Sequence, residues 1–573
     1  MNRIALLPPE ISQKIAAGEV IERPSSVVKE LVENSLDAGA GEIRVELLDG
    51  GKRLIRVHDN GSGMSRDDSR ICFERHSTSK ISREEDLSAI RTLGFRGEAL
   101  ASISAVSRLT LLTWDGEEAQ GVQIEREDGA LVRVLDAAFP KGTRIDVEDL
   151  FFNLPARKKF LRSDRSELSL VTKYITNAAL AFPGVRFILI HGKREIINSP
   201  AVGTLRERIF QLYGRSFLDR LAEVENEDKG ARISGFASRP LTGRPDKNHQ
   251  FFFVNKRPVR DRVLQAALNQ SYRGFLEKDM SPEAFLFLSV PYEEIDVNVH
   301  PSKTEVRFRD ASFVFQLVLK AAANLLLGTR TIKEIYPQAG ESRAEGGVAE
   351  KAERPFFPLV RPESSPVTEA ETSAFFPGAA GSPAHVSSLR VFGQYLDTYI
   401  LAGREDALLV IDQHNAHERV LFEKYEEIGR AKKWPRRMPL IPVLLDLSPS
   451  QALALEENGP LLEEAGFRAE AMGGRSVAVR EFPEIFKDAE AAEVFLSLLE
   501  EIKEGGSEAK RERLLATMAC KTAVKAGEPL SREKMGFLVE ELFKTSRPSL
   551  CPHGRPVIVK IDRSEIEKGL RRG

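Results

Sequence analysis

A chain of 573 residues is too long to fold around one hydrophobic core, so roughly three or four domains are expected. Its 83 Lys and Arg balance 85 Asp and Glu, a net charge of −2 that excludes a uniformly basic polyanion binder and leaves any basic surface to be local. No run of about 18 apolar residues is present to span a membrane, the opening Met1-Asn-Arg-Ile-Ala-Leu-Leu-Pro-Pro9 is too short in apolar residues for a secretory signal, and three cysteines cannot all pair, so the reducing cytosol is the expected compartment.

The first predicted element is a helix over Val27–Ala38, started by Pro24 with Ser25 or Ser26 and ended by Gly39. Val27, Val28, Leu31 and Val32 mark its apolar side, while Glu30, Asn34 and Asp37 fall on one polar face. A carboxylate and an amide four residues apart can hold a water and a magnesium ion; a solvated polar stripe is the plainer alternative. A strand from Leu54 then ends at Asp59, followed by Asn60-Gly61-Ser62-Gly63. Its terminal carboxylate suits an adenine amino group, and the glycines let backbone approach the base. Arg75-His-Ser-Thr-Ser79-Lys80 and Gly94-Phe95-Arg96-Gly97-Glu98 supply hydroxyls, cations and a glycine turn opening a helix, the ingredients of a phosphate nest. Gly142-Thr143 opens another strand, and a new helical pattern near Ala201–Arg215 divides the first half. Arg239 to Arg262 is locally basic, either solvated surface or a stripe able to follow a phosphate backbone.

From Pro337 to about Ser388 the chain is rich in Pro, Gly, Ala, Ser and Glu and reads as a flexible linker. Order resumes at Leu389. The apolar run Ala407-Leu-Leu-Val-Ile411 predicts a buried strand, and side-chain alternation sends Asp412 and His414 the same way at its end. Glu418 and Glu423 fall in the helix that follows. Imidazole and carboxylate at such a corner form a metal site that lacks one element. Cys551 and His553, alternating as if at a second strand end, fit that role, and Cys520 can join them. Thiolate and imidazole favour zinc; the carboxylates favour manganese or magnesium. His417 reads as a surface or supporting residue, Glu423 as a residue holding the helix, Cys72 as a small buried apolar residue, and Val557–Asp562 as a final strand.

Glu30/Asn34, Asp59-x-Gly-x-Gly63, Gly94-x-x-Gly97 and Gly142-Thr143, in this order, resemble the four motifs of the gyrase, heat-shock chaperone, histidine-kinase and MutL ATPase superfamily. Longer words are more specific. Ile15-Ala-Ala-Gly-Glu-Val-Ile-Glu-Arg-Pro24, Lys29-Glu-Leu-Val-Glu-Asn-Ser-Leu-Asp-Ala-Gly39, Gly94-Phe-Arg-Gly-Glu-Ala-Leu100 and Asp149-Leu-Phe-Phe-Asn-Leu-Pro-Ala-Arg157 resemble the MutL family of DNA mismatch-repair proteins. So do Phe251-Phe-Phe-Val-Asn-Lys-Arg-Pro-Val-Arg260-Asp-Arg262 and Asp296-Val-Asn-Val-His-Pro-Ser-Lys303. Asp412-Gln-His-Asn-Ala-His-Glu418, Met518-Ala-Cys520-Lys and Cys551-Pro-His553-Gly-Arg-Pro556 resemble the words of those members that cut DNA themselves, although Asn415 stands where the family usually has Ala. The resemblance covers nearly all of the chain except the linker.

The resemblance implies an α/β multidomain protein. A Bergerat-type ATPase sandwich would occupy residues 1–214 and a second α/β domain with a left-handed crossover 215–336. A linker would follow over 337–388, then an α/β dimerisation and endonuclease domain over 389–573. Glu30 would be the general base, Asn34 the magnesium ligand and Asp59 the adenine reader. Gly61, Gly63, Ser79, Lys80, Gly94, Phe95, Arg96, Gly97, Glu98 and Thr143 would surround ATP, part of them in a lid. Lys303 would reach the terminal phosphate from the second domain, and Arg257, Arg260 and Arg262 would meet DNA. Asp412, His414, Glu418, Cys520, Cys551 and His553 would hold zinc or manganese, with Asp412 and Glu418 serving phosphodiester hydrolysis and Cys520 near the start of a helix. Implied partners are a second copy of the chain, double-stranded DNA, the mismatch sensor MutS, a helicase and the sliding clamp. Arg437 stands where the clamp word usually has Gln. The rival reading is an ATP-driven clamp and matchmaker whose C-terminal metal is structural.

Overall fold

The structure is a computed structural model. It describes residues 21–328 and 389–570, apart from 82, 84–91, 95–96, 241, 245–248, 277–279, 297–305, 405–406, 432, 503–506 and 526. The expected linker over 337–388 lies outside the described residues, as do Phe95, Arg96 and Lys303. The described residues form two compact units, one built on 21–328 and the other on 389–439 and 481–570, with 440–480 divided between them. Among the described residues no helix is long and apolar enough to cross a membrane.

Helix Pro24–Asp37 (α1) takes Pro24 in its first turn, where a missing N–H costs no hydrogen bond, and Gly39 follows its end at φ +71°. Val27, Val28, Leu31 and Val32 are buried against a sheet whose own strands alternate. In Glu42–Leu48 (β1) and Leu54–Asp59 (β2) every second residue is buried, the period of a sheet covered on one face. Arg108–Trp114 (β3), Gly121–Glu127 (β4), Ala130–Ala137 (β5) and Gly142–Glu148 (β6) continue the sheet. Helix Asp164–Ala181 (α2) packs beside α1 and leads into Arg186–His191 (β7) and Arg194–Ser199 (β8). The eight strands run β5-β4-β3-β6-β2-β1-β7-β8, with β1 and β7 parallel and the other pairs antiparallel. The register sets Asp59 opposite Thr143, so two motif residues far apart in sequence meet at one strand end under α1.

A second sheet follows, ordered β12-β11-β13-β10-β9. Its strands are Leu221–Asp228 (β9), Ala231–Ser238 (β10), Gln250–Val254 (β11), Arg257–Val259 (β12) and Ala284–Ser289 (β13). β11 and β13 are parallel, and helices Arg262–Ser271 (α3) and Ala311–Gly328 (α4) cover the sheet through Leu264, Leu268, Leu317 and Val318.

In the C-terminal unit Arg390–Tyr395 (β14), Tyr399–Arg404 (β15), Ala407–Asp412 (β16) and Ile558–Asp562 (β17) form an antiparallel four-stranded sheet. β16 delivers the chain directly into helix Gln413–Ala431 (α5), which packs against Ser507–Thr522 (α6) and Arg532–Lys544 (α7). The expected strand-to-helix corner is therefore present.

Candidate functional site

Helix α1 presents Glu30, Asn34 and Asp37 to a cavity of about 940 Å³ in the N-terminal unit. Asp59, Gly63, Ser79, Lys80, Gly94, Gly97, Glu98 and Thr143 also line it. Asp59 is only 5 % exposed; its Oδ2 accepts from Ser35 Oγ at 2.7 Å and its Oδ1 from the Gly61 amide at 2.9 Å. Burial pushes the Asp59 carboxyl above its ordinary pKa, against the Ser35 and Gly61 bonds that favour the charged form. Gly61 thus serves by orienting the carboxylate. Gly63 sits at φ +72°, and a Cβ there would fall 2.0 Å from the Trp114 carbonyl oxygen, so only glycine admits this close approach. Gly97, at φ +64°, is held in the same way against Ser77.

A cluster of charges organises the opposite end. Lys80 Nζ donates to Asn34 Oδ1 at 2.8 Å and to Asp37 Oδ2 at 2.6 Å. Asp37 also accepts the Leu93 and Gly94 amides, at 2.9 and 3.0 Å. Lys29 lies 3.1 Å from Glu30 Oε1 and 3.3 Å from Glu33 Oε1. Burial works to lower the Lys29 pKa, but Glu33 and then Glu30 outweigh it and the net shift is upward. The Asn34 amide oxygen already receives a cationic group, Lys80, and has two carboxylates on its own helix face. The donor set therefore fits magnesium, a hard cation that takes oxygen ligands. Ser35, Lys29 and Thr92 also belong to this site and were not singled out from the sequence. Asp37 was placed on the polar face without a role. The Glu-Asn-Ser run offered a signal for Ser35; nothing local marks Thr92.

Of the arginines expected on DNA, Arg260 and Arg262 are exposed, flanking Asp261, whose carboxylate caps α3 by accepting the Val263 and Leu264 amides at 2.8 and 2.9 Å. Arg257 is a correction: it is 7 % exposed and its guanidinium donates to the Thr92 carbonyl. Arg244 of the same basic run is also buried, paired with Glu283 at 2.7 Å. The run is thus not one solvated stripe.

The C-terminal corner gathers two donor sets around one carboxylate. Ligating atoms of His414, Glu418 and Cys520 lie within 4.8 Å of one another, and so do those of Glu418, Cys551 and His553. Glu418 is 1 % exposed; its Oε1 is 3.2 Å from His414 Nε2 and its Oε2 is 3.3 Å from His553 Nδ1. His414 Nδ1 donates to the Val524 carbonyl at 2.8 Å, which turns Nε2 toward the cluster, and the Val524 amide donates to His417 Nδ1 at 3.0 Å. His417 is therefore a buried support for the site, its pKa pushed down to about 4 by burial. The His414 pKa is raised to about 10 by hydrogen bonding to Cys520 and then Glu418, and that of His553 to about 10 by Cys551 and then Glu418. Burial works to raise the Glu418 pKa, yet His414, His553 and Cys520 hold it far below the carboxylate range. Thiolate, imidazole and a fixed carboxylate fit zinc, and the shared carboxylate also suits a harder ion.

Three expectations change here. Cys520 lies near the end of α6, not at a helix start. Cys551 and His553 belong to a tight turn, closed by the Gly554 amide on the Cys551 carbonyl at 2.9 Å, not to a strand end. Asp412 is in neither donor set among the described residues; its Oδ1 accepts the Asn415 amide at 2.9 Å at the start of α5. Asn415 in turn donates to the Pro556 carbonyl at 3.2 Å. Glu423 accepts from Ser546 N and Oγ, at 3.0 and 2.7 Å, and so braces the helix as expected.

Residues 22–135 match the family of histidine kinase-, DNA gyrase B- and HSP90-like ATPases. With α1 over a large cavity beside the eight-stranded sheet, the N-terminal unit carries an ATPase domain of this class, which implies ATP and Mg2+. Residues 209–327 match the C-terminal domain of DNA mismatch repair proteins, and 392–530 match the MutL C-terminal dimerisation domain. The chain belongs to the MutL family of DNA mismatch repair proteins. It is 38 % identical to the MutL of Koribacter versatilis (strain Ellin345) over 100 % of both chains. It is 36 % identical to that of Caldanaerobacter subterraneus subsp. tengcongensis and 37 % to that of Geobacter sulfurreducens, again over 100 % of both chains.

Proposed function

We propose that this protein is an ATP-hydrolysing homodimer that couples recognition of a DNA mismatch to incision of one strand, through a metal-dependent endonuclease in residues 389–573. Residues 1–214 form the ATPase domain, 215–336 the second domain and 337–388 the connection. In the ATPase domain Glu30 accepts the proton of the water that attacks the terminal phosphorus of ATP, held in place by Lys29. Asn34 holds magnesium, Asp59 accepts from the adenine amino group, and Lys303 reaches the terminal phosphate. Arg260 and Arg262 contact duplex DNA without sequence choice. The mismatch sensor MutS is the loading partner, and the cytoplasm the compartment.

The observation that carries the nuclease reading is the Glu418 carboxylate facing two donor sets drawn from three distant chain segments. His414, Glu418 and Cys520 would hold one ion, and Cys551 and His553 with Glu418 another. Bound divalent ions supply charge neutralisation for phosphodiester hydrolysis. The chain's own part is to orient them: Val524 fixes the His414 ring, and Asp412 sits at the mouth of α5, proposed to complete the catalytic set.

A second reading is the ATP-driven matchmaker with a structural metal. It is favoured by Glu418 being 1 % exposed and by Asp412 Oδ1 capping the start of α5. Nicking of supercoiled circular DNA with manganese separates the two readings. Open circles from the wild type, and none from Asp412→Asn or Glu418→Gln, support the endonuclease. No open circles from a wild-type preparation that still hydrolyses ATP support the matchmaker.

A further inference from the structure

Arg257 was expected on DNA but points inward. It lies on β12, the edge strand of the second sheet, and its guanidinium donates to the Thr92 carbonyl, 165 residues away in sequence. Burying a guanidinium is costly unless acceptors or opposite charges compensate it. Burial lowers the Arg257 pKa, and the charges that oppose this are Glu33 first and then Asp37, both on α1. Arg257 is not among the residues lining the nucleotide cavity, whereas Thr92, Gly94, Asp37, Lys29 and Glu30 all are. Arg257 therefore acts on the cavity from behind.

Two carboxylates of α1, Asp37 and Glu33, each hold part of the site. Asp37 accepts the Leu93 and Gly94 amides and the Lys80 ammonium, which also bonds Asn34. Glu33 pairs with Lys29, and Lys29 pairs with Glu30. Thr92 directly precedes the two amides on Asp37, so three consecutive residues are gripped from two sides. The arginine takes a carbonyl and the aspartate takes the amides. We propose that Arg257 is a positioning residue through which the second domain fixes Thr92–Gly94 against Asp37 for ATP hydrolysis. The proposal rests on the nucleotide-site reading above. It removes Arg257 from the DNA surface and leaves Arg260 and Arg262 there. Arginine suits the position because its planar fork can aim an N–H at a backbone carbonyl; an ammonium keeps the charge and loses the fork.

The test uses the full chain with Arg257→Met and Arg257→Lys. Hydrogen exchange of the Leu93 and Gly94 amides is read without nucleotide, and binding of a non-hydrolysable ATP analogue with magnesium is read by calorimetry. Steady-state ATP hydrolysis and duplex DNA binding without nucleotide complete the set. In Arg257→Met the two amides should exchange faster, analogue binding should weaken about 10-fold or more, as for a lost charge-assisted bond, and kcat should fall. DNA binding without nucleotide should not change. Arg257→Lys should exchange at an intermediate rate and recover most of kcat. Wild-type exchange and analogue binding in Arg257→Met, or a defect confined to DNA binding, overturns the proposal. If the methionine variant does not fold, wild-type exchange in Arg257→Lys overturns it as well. A wild-type chain that binds no adenine nucleotide instead sinks the nucleotide-site reading, and the exchange rates then decide the tie between Arg257 and Thr92 on their own.

Discussion

Asp59 shows how one residue sets function against stability. Its carboxyl is buried at a strand end, and burial raises its pKa in the folded state. A carboxyl raised above its unfolded value contributes stability that is fully present below the unfolded value and is lost as pH rises through the folded value. Once ionised, the group therefore no longer adds to stability, and the adenine amino group proposed to meet it gives the carboxylate its use. Asp59→Asn should raise the thermal midpoint of the nucleotide-free chain near pH 7. The amide keeps an oxygen for the Gly61 N–H, and its NH2 can donate to Ser35 Oγ. Nucleotide affinity should fall by about 10- to 100-fold, the value of a charge-assisted hydrogen bond. Calorimetric melting and an ATP-analogue titration check the two halves. A lower midpoint with unchanged affinity would reverse the account.

At the scale of elements, α5 joins the metal corner to the rest of the C-terminal unit through side-chain ties. Asn415 is the departure from the family word, and it donates to the Pro556 carbonyl, fastening the turn that carries Cys551 and His553. Asn415→Ala should cost about 0.5–1.5 kcal/mol of stability and leave the metal stoichiometry intact; urea unfolding with zinc analysis reads both, and loss of bound zinc would show that Asn415 does more than tether. At the start of α3, Arg260→Glu with Arg262→Glu should weaken duplex binding and lower the salt slope by about 2; an unchanged slope removes both from the DNA surface. The sequence predicted elements best where local chemistry decides them. Pro24 and Gly39 bracket α1, and the apolar run before Asp412 leads into α5 as expected. It failed where distant partners decide. Cys551 and His553 have the spacing of a strand, but a tight turn brings residues two apart together just as well, and a Gly554 at φ +79° makes that turn. Arg257 looked like part of a charged surface because its carbonyl partner is 165 residues away.

At the scale of the whole molecule, the proposed reading gives the two units separate ligand chemistries, and linkage should reveal them separately. An ATP analogue with magnesium at about 100 times its dissociation constant should stabilise the ATPase unit by roughly 2.7 kcal/mol, with no effect on the transition of the C-terminal unit. The corner around Glu418, as the proposed metal site, should respond instead to pH and chelation. Without metal, His414 beside Cys520 and Glu418, and His553 beside Cys551 and Glu418, hold protons, with pKa values raised from 6.5 to about 10. A histidine raised on folding stabilises fully below its unfolded value, and that contribution is lost as pH rises through the folded value. The chelated C-terminal unit should therefore lose thermal stability between about pH 6.5 and pH 10. Zinc must displace these same protons, so its affinity should climb across the same window while the chelated unit weakens. Zinc titration near pH 8 in buffers of different ionisation enthalpy should report about two protons released from the histidines, plus any from the thiols. Proton-neutral binding, or a chelated midpoint that rises with pH in that window, would show that the two imidazoles are not held as cations on Glu418.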